Sequence, residues 1–284
     1  MSFYTTQSWF NGDGGGLTLV TENGNIRSNS PIVQLQNNQT GAYNVNYTRE
    51  FEKEGHNIEF EATYSDTSSL EDVEKKDVTK NPTDNDFKVL NFTNEIQRKQ
   101  DNILLNLDYT NPISEKGKLE LGIEYREDNT ANINITDQDE IVFDNQGNST
   151  IQPLRNSDFN YGRKIYSAYA NYGHNFGKVT IQLGTRLEQF EAVGNFNRDG
   201  SVSQQVKQDL FNLYPSAFFT YNPSEKNQFQ VSYSRRVDRP GIGQVNPIRE
   251  WSTPLITSIG NPSVLPQFTN SYEANYTRKI KTGL

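Results

Sequence analysis

The chain has 284 residues, no Cys, a hydrophobic fraction of 33% and a formal net charge of -8 at pH 7, with a mean hydropathy of -0.81. These values exclude disulfides, thiol catalysis and Cys-ligated metals, leave no basic stripe for general nucleic-acid binding, and are thin for a conventional core. A content of 16 Phe, 15 Tyr and 2 Trp argues against disorder; transmembrane β-strands reconcile the two, because lipid-facing and lumen-facing residues alternate along them.

The N-terminal MSFYTTQSWF lacks the charged and apolar regions of a signal peptide, and no run approaches the roughly 18 apolar residues of a spanning helix. Phe3 to Trp9 reads as a first strand. Gly12 to Gly16 (GDGGG) is not followed by Lys-Ser/Thr, so it reads as a flexible loop and not a phosphate cradle. Ile32 to Gln36 joins Ala42 to Phe51 in a second strand, where Tyr43, Val45 and Tyr47 alternate with Asn44, Asn46 and Thr48. Antiparallel parity makes Phe87 to Tyr109 one long descending strand. Leu119, Leu121, Ile123 and Tyr125 then alternate with polar neighbours, and so do Val179, Ile181 and Leu183, Phe229, Val231 and Tyr233, and Tyr272, Ala274 and Tyr276. Tyr161 to Asn175 and Val179 to Phe190 exceed the roughly 9 to 11 residues that a spanning strand needs.

The connections alternate as well. Short turns fall near Glu52 to His56, Asn111 to Gly117, Asn175 to Lys178 and Asn222 to Asn227; long links are expected near Asp66 to Asp86, Glu127 to Asn160, Glu191 to Leu210 and Val237 to Asn270. Short turns on one edge and long loops on the other are the pattern of an outer-membrane barrel. The expected fold class is therefore all-β: an antiparallel transmembrane β-barrel, represented by an incomplete set of about ten up-and-down strands. Residues 1–284 read as part of one barrel domain, without plug or signal peptide, and the last segment, Lys279 to Leu284, reads as the start of another short turn.

Gln228 to Ile280 concentrates the most distinctive residues: Tyr233-Ser234-Arg235-Arg236, Arg239-Pro240, Asn246-Pro247, Gly260-Asn261-Pro262, Leu265-Pro266 and Asn270-Ser271-Tyr272-Glu273. With Asp108-Tyr109-Thr110-Asn111-Pro112, Gly184-Thr185-Arg186-Leu187-Glu188 and Tyr214-Pro215-Ser216 upstream, this ordered series resembles the C-terminal half of the barrel of TonB-dependent outer-membrane receptors, especially the outer-membrane protein β-barrel family. The resemblance runs from about Gly41 to the end. It implies a barrel of about 22 strands filled by a plug, import of iron chelates, glycans or peptides, and engagement of the TonB system only through the plug, which this sequence lacks.

By alternation Arg235 continues the lipid-facing row at the outer rim, where a guanidinium could pair with lipopolysaccharide phosphates, and Arg236 faces the lumen. The architectural reading is that Arg235, Arg236 and Arg239 tie the following loop to wall carboxylates such as Glu188 or Glu273, while Pro240, Asn246, Pro247, Gly260, Asn261 and Pro262 shape rigid turns. Arg249, Glu250 and Trp251, midway along the loop, are the candidate ligand contacts, since Trp and Arg are favoured at binding hot spots. Tyr125, Tyr221 and Tyr233 suit interfacial girdles.

Asp137, Asp139, Glu140 and Asp144 have oxygen ligands but not the register of an EF-hand loop, so they read as a solvated acidic loop with no metal. His56 and His174 sit at short turns without a nucleophile motif, and G-x-S-x-G and H-E-x-x-H are absent. The expectation is a non-enzyme without cofactors, whose partners are outer-membrane lipid and a nutrient. A non-transporting outer-membrane barrel or surface-binding protein, and a soluble glycan-binding β-sandwich, are the competing readings.

Overall fold

The computed structural model describes residues 2–14, 28–29, 32–80, 87–137, 139–143, 149–153, 156–253 and 256–280. In chain order the strands are β1 (Ser2–Gly14), β2 (Ser28–Asn29), β3 (Ile32–Glu50), β4 (Asn57–Lys80), β5 (Phe87–Asn111), β6 (Gly117–Thr136), β7 (Asp139–Phe143), β8 (Ser149–Pro153), β9 (Ser157–Asn175), β10 (Val179–Arg198), β11 (Ser201–Ser224) and β12 (Asn227–Asp238). A single helical turn, α1 (Ile242–Val245), then precedes β13 (Glu250–Thr253), β14 (Ile256–Ser258) and β15 (Gln267–Arg278).

Ten of these strands form one antiparallel up-and-down sheet in the order β1-β3-β4-β5-β6-β9-β10-β11-β12-β15, with β2 attached to β4. Among the described residues β1 and β15 do not pair with each other, so the sheet is open. The described residues contain no helix long and apolar enough to cross a membrane; the strands do this, their ladders satisfying the backbone groups between neighbouring strands that lipid cannot.

The register explains the alternation. One row across seven strands runs Tyr47, Phe60, Leu107, Ile123, Ala168, Leu187 and Leu213; the adjacent row runs Asn46, Glu61, Asn106, Glu124, Ser167, Glu188 and Asn212. Because side chains alternate faces, one surface is an apolar belt and the other a polar wall. Ile123, Leu187 and Leu213 are exposed despite their size, as lipid-facing residues should be. Four residues further up β10, the outer row becomes Tyr43, Tyr64, Ile103, Glu127, Lys164, Glu191 and Asp209, and the change to charge marks the upper limit of the belt from β6 to β11. Aromatic pairs occupy the belt's margins, among them Tyr125–Tyr166 with ring centroids 5.1 Å apart and Phe229–Tyr276 at 4.8 Å.

Two expected long links are mostly strand. The β4–β5 ladder continues from Asn57↔Thr110 to Lys80↔Phe87, and β10 meets β11 across a two-residue turn, Asp199-Gly200, with φ values of 47° and 75°. Those angles belong to a type I′ turn, whose twist matches the flanking strands. Once outside the bilayer, a link with polar residues on both faces still pairs with itself, because the ladder satisfies its backbone groups. The link after β6 likewise holds the separate β7–β8 hairpin. The connection after β12 is different: it turns inward.

Candidate functional site: the inward-folded connection

The connection leaves the top of β12 and packs Ile242, Val245 and Ile248 on the inner faces of β9 and β10. Val245, 1% exposed, and Ile248 join Phe159, also 1% exposed, and Phe196 in a buried cluster flanked by Tyr161 and Ile242. A second cluster, Ile165, Phe190 and Ala192, lies beside it on the same wall. Apolar residues on a lumenal face would be costly if open to water; the connection covers them.

Its own fold comes from polar caps. The Gly241 N–H donates to Gln244 Oε1 at 2.9 Å, and the Ile248 N–H to Asn246 Oδ1 at 3.1 Å. The two limbs are joined where the Gly260 N–H donates to the Asn246 carbonyl oxygen at 2.8 Å and the Asn261 N–H to the Gln244 carbonyl oxygen at 2.7 Å. Asn261 Oδ1 accepts the Ser263 N–H at 2.9 Å, and Gln208 Nε2 on β11 donates to the Val264 carbonyl oxygen at 3.0 Å. Pro247, Pro262 and Pro266 are buried and Pro240 is half-buried.

Charge holds the near end. Glu188, 3% exposed, forms ion pairs with both Arg239 and Arg186, the latter at 3.2 Å. Arg186 also reaches Glu124 at 3.0 Å and Ser167 Oγ at 2.8 Å, and Arg126 adds a longer contact to Glu124 at 3.6 Å. The Arg239 guanidinium lies over the Phe190 ring, 5.0 Å from its centroid. Burial, followed by the neighbouring guanidinium groups of Arg186, Arg163 and Arg126, lowers the Arg239 pKa to about 10. It stays cationic at neutral pH, and the Glu188 carboxylate is its compensation.

Arg235 does not take the open rim position that alternation suggests. The β11–β12 ladder ends at Ser216↔Ser234, while β12 stays paired with β15 up to Asp238↔Gln267. Arg235 thus has a strand neighbour on the β15 side alone, across from Asn270. Its guanidinium is half-buried over Phe268, 5.2 Å from the ring centroid, and Phe268 stacks on the inner-face Tyr214. Arg235 is thus not an open cation of the lipid-facing rim, and Arg236 is exposed.

Arg249 is half-buried at the end of the buried run from Val245 to Ile248. Glu250 and Trp251 open β13, paired with Ser258 and Thr257 of β14, and their side chains lie outside what the structure describes. Asp137 closes the upper end of the β5–β6 ladder by accepting the Thr93 N–H at 2.5 Å; Asp139 and Glu140 fall in β7, and Asp144 lies outside the described residues. Among the described residues, no group of three or more His, Asp or Glu is placed to hold a metal ion.

Opposite the covered wall, an open cavity of about 410 Å³ lies between the connection, at Ile242, Gly243 and Asn246, and the inner faces of β3 to β6. Sequence reasoning did not single out the wall residues that line it. They are ordinary Gln, Asn, Ser and Thr at alternate positions, and only the cross-strand register brings them together.

The model of the outer membrane protein beta-barrel family matches residues 49–284. Among solved structures, the chain is similar to the siderophore receptor PiuA from Acinetobacter baumannii (13% identity, 96% of this chain and 50% of that one, TM-score 0.41). It is also similar to the ferric yersiniabactin uptake receptor FyuA from Yersinia pestis (8% identity, 98% and 48%, TM-score 0.47) and to the FrpB iron transporter from Neisseria meningitidis (12% identity, 97% and 51%, TM-score 0.43). The chain spans about half the length of these structures. No curated protein matches it.

Proposed function

Because the chain belongs to the outer membrane protein beta-barrel family and resides in the cell outer membrane, we propose that it is wall and lumen lining of a TonB-dependent receptor that takes up a scarce nutrient. The chemistry is recognition and passage, with no covalent step. Outer hairpins and the inward-folded connection form the vestibule, and the energy is relayed from the inner membrane through TonB.

The observation that carries this reading is the Arg239–Glu188 anchorage of a connection that borders an open polar cavity on the opposite wall. A wall with one half covered by an ordered connection and the other half open to solute suits a selective vestibule. It does not suit an unobstructed pore or a surface adhesin, whose lumen has no need of such a lining.

The test is deletion of the encoding gene followed by uptake of ferric chelates, oligosaccharides and peptides at limiting concentration. Loss of one uptake activity, its restoration by the wild-type gene, and its abolition by a protonophore are expected. Unchanged uptake of all three classes contradicts the proposal.

A further inference from the structure

The cavity beside the connection has a chemical character that narrows the solute, given the uptake reading. Its inner-face lining includes Gln36 and Asn38 from β3, Thr67 from β4, Gln100 from β5, and Thr130 and Asn132 from β6. Each side-chain amide offers two N–H donors and a carbonyl acceptor, and each hydroxyl both donates and accepts. Contacts within the wall leave much of this capacity available: Gln36 Nε2 donates to Asn38 Oδ1 at 3.3 Å, and Gln100 Nε2 to Asn102 Oδ1 at 3.1 Å, each using one donor of the two. Ser69, also in the lining, has a buried Oγ without a hydrogen-bond partner.

The charge in the lining is already compensated or points elsewhere. Arg98 is turned onto Glu71, with NH1 to Oε2 at 3.1 Å, and Glu71 also accepts from Gln34 at 2.8 Å. Lys99 borders the cavity but alternates with Arg98 and Gln100, so its ammonium belongs to the opposite face. An anionic ferric chelate or a charged peptide needs uncompensated charge to replace its hydration, whereas vicinal hydroxyls find both donors and acceptors here. At about 410 Å³ the cavity falls within the ordinary range for small-molecule sites.

We propose that this cavity takes a neutral polyhydroxylated solute, a segment of an oligosaccharide. The test uses the full-length protein in detergent, with calorimetric titration of glucose, xylose and mannose hexasaccharides, ferric citrate and an anionic peptide. At least one hexasaccharide is expected to bind, with the same Kd at roughly 50 and 500 mM NaCl, since salt screens only charged partners. Asn38→Ala and Gln100→Ala are each expected to weaken it by about tenfold, the scale of one hydrogen bond, with folding, checked by heat-modifiable gel migration, unchanged.

Ferric citrate or the peptide binding in place of the sugars, with affinity falling as salt rises, overturns the neutral-solute assignment and leaves the uptake reading standing. Sugar binding untouched by both substitutions places the site elsewhere and overturns it too. No binding of any probe overturns the cavity assignment, and unchanged uptake in the deletion strain removes the uptake reading as well.

Discussion

The Gly260 N–H donates to the Asn246 carbonyl oxygen at 2.8 Å and closes the two limbs of the connection on each other. A Cβ at Gly260 would stand 2.5 Å from that oxygen, 2.7 Å from the Asn246 nitrogen and 2.8 Å from the Gln244 carbonyl oxygen. All three atoms are backbone, so none can swing aside. Gly260→Ala is therefore expected to open the connection at a cost of about 1–3 kcal/mol, the range of overpacked sites. Limited proteolysis in detergent checks this: new cuts within residues 239–266 are expected, and a wild-type digestion pattern contradicts the close approach.

Glu188 compensates two guanidinium groups from a nearly fully buried position. Removing one partner of a buried pair costs about 3–5 kcal/mol, and the lower part of that range applies because Arg186 is partly open to solvent. Glu188→Ala leaves both Arg186 and Arg239 short of charge. Arg239→Ala leaves Glu188 still paired with Arg186. Urea titration of refolded protein should rank Glu188→Ala as the more damaging, and the reverse order contradicts the network.

Val231 and Ser232 are neighbours on β12 that face opposite sides. Val231, 57% exposed, shares the outer face with Phe219 and Ala274, and Ser232 shares the inner face with Phe218 and Glu273. Val231→Arg is expected to cost about 2–4 kcal/mol near the bilayer midplane, and Ser232→Arg to stay close to neutral. Folding into lipid vesicles measures both; equal losses contradict the facing.

At the β10–β11 tip, Gly200 holds a φ of 75°. Gly200→Val puts a branched side chain in the left-handed region, which costs about 1–2 kcal/mol. Since the tip lies beyond the apolar belt, faster amide exchange from Val193 to Val206 is expected with insertion of the protein unchanged. Failed insertion contradicts that placement.

Ten strands, their direction and the lipid side of most of them were legible, because alternation at positions such as Leu119, Leu121, Ile123 and Tyr125 is imposed directly by the bilayer. Outside the belt that constraint ends. Polarity near Glu191 to Leu210 suggested a loop, although Asp199-Gly200 carries a strong hairpin signal, and Ala192 and Phe196 continue the inner-face alternation. Alternation gave Arg235 a face but not its neighbour, Phe268 of β15, which lies under the guanidinium. The Arg239–Glu188 contact joins residues about fifty apart; Glu188 was one of two wall carboxylates named for it, and spacing along the chain does not decide between Glu188 and Glu273. The polar cavity was illegible for the same reason: its amides and hydroxyls come from four strands.

A cysteine pair tests the inward fold of the connection most directly, since the chain has no Cys of its own. Phe159→Cys with Val245→Cys joins two residues of one buried cluster, whereas Leu187→Cys with Val245→Cys pairs the connection with the lipid face. In outer membranes treated with a mild oxidant, the first pair is predicted to form a disulfide and the second to stay reduced. A reduced first pair whose Cys at position 245 is labelled by an impermeant maleimide would show that the connection extends outward and does not line the lumen.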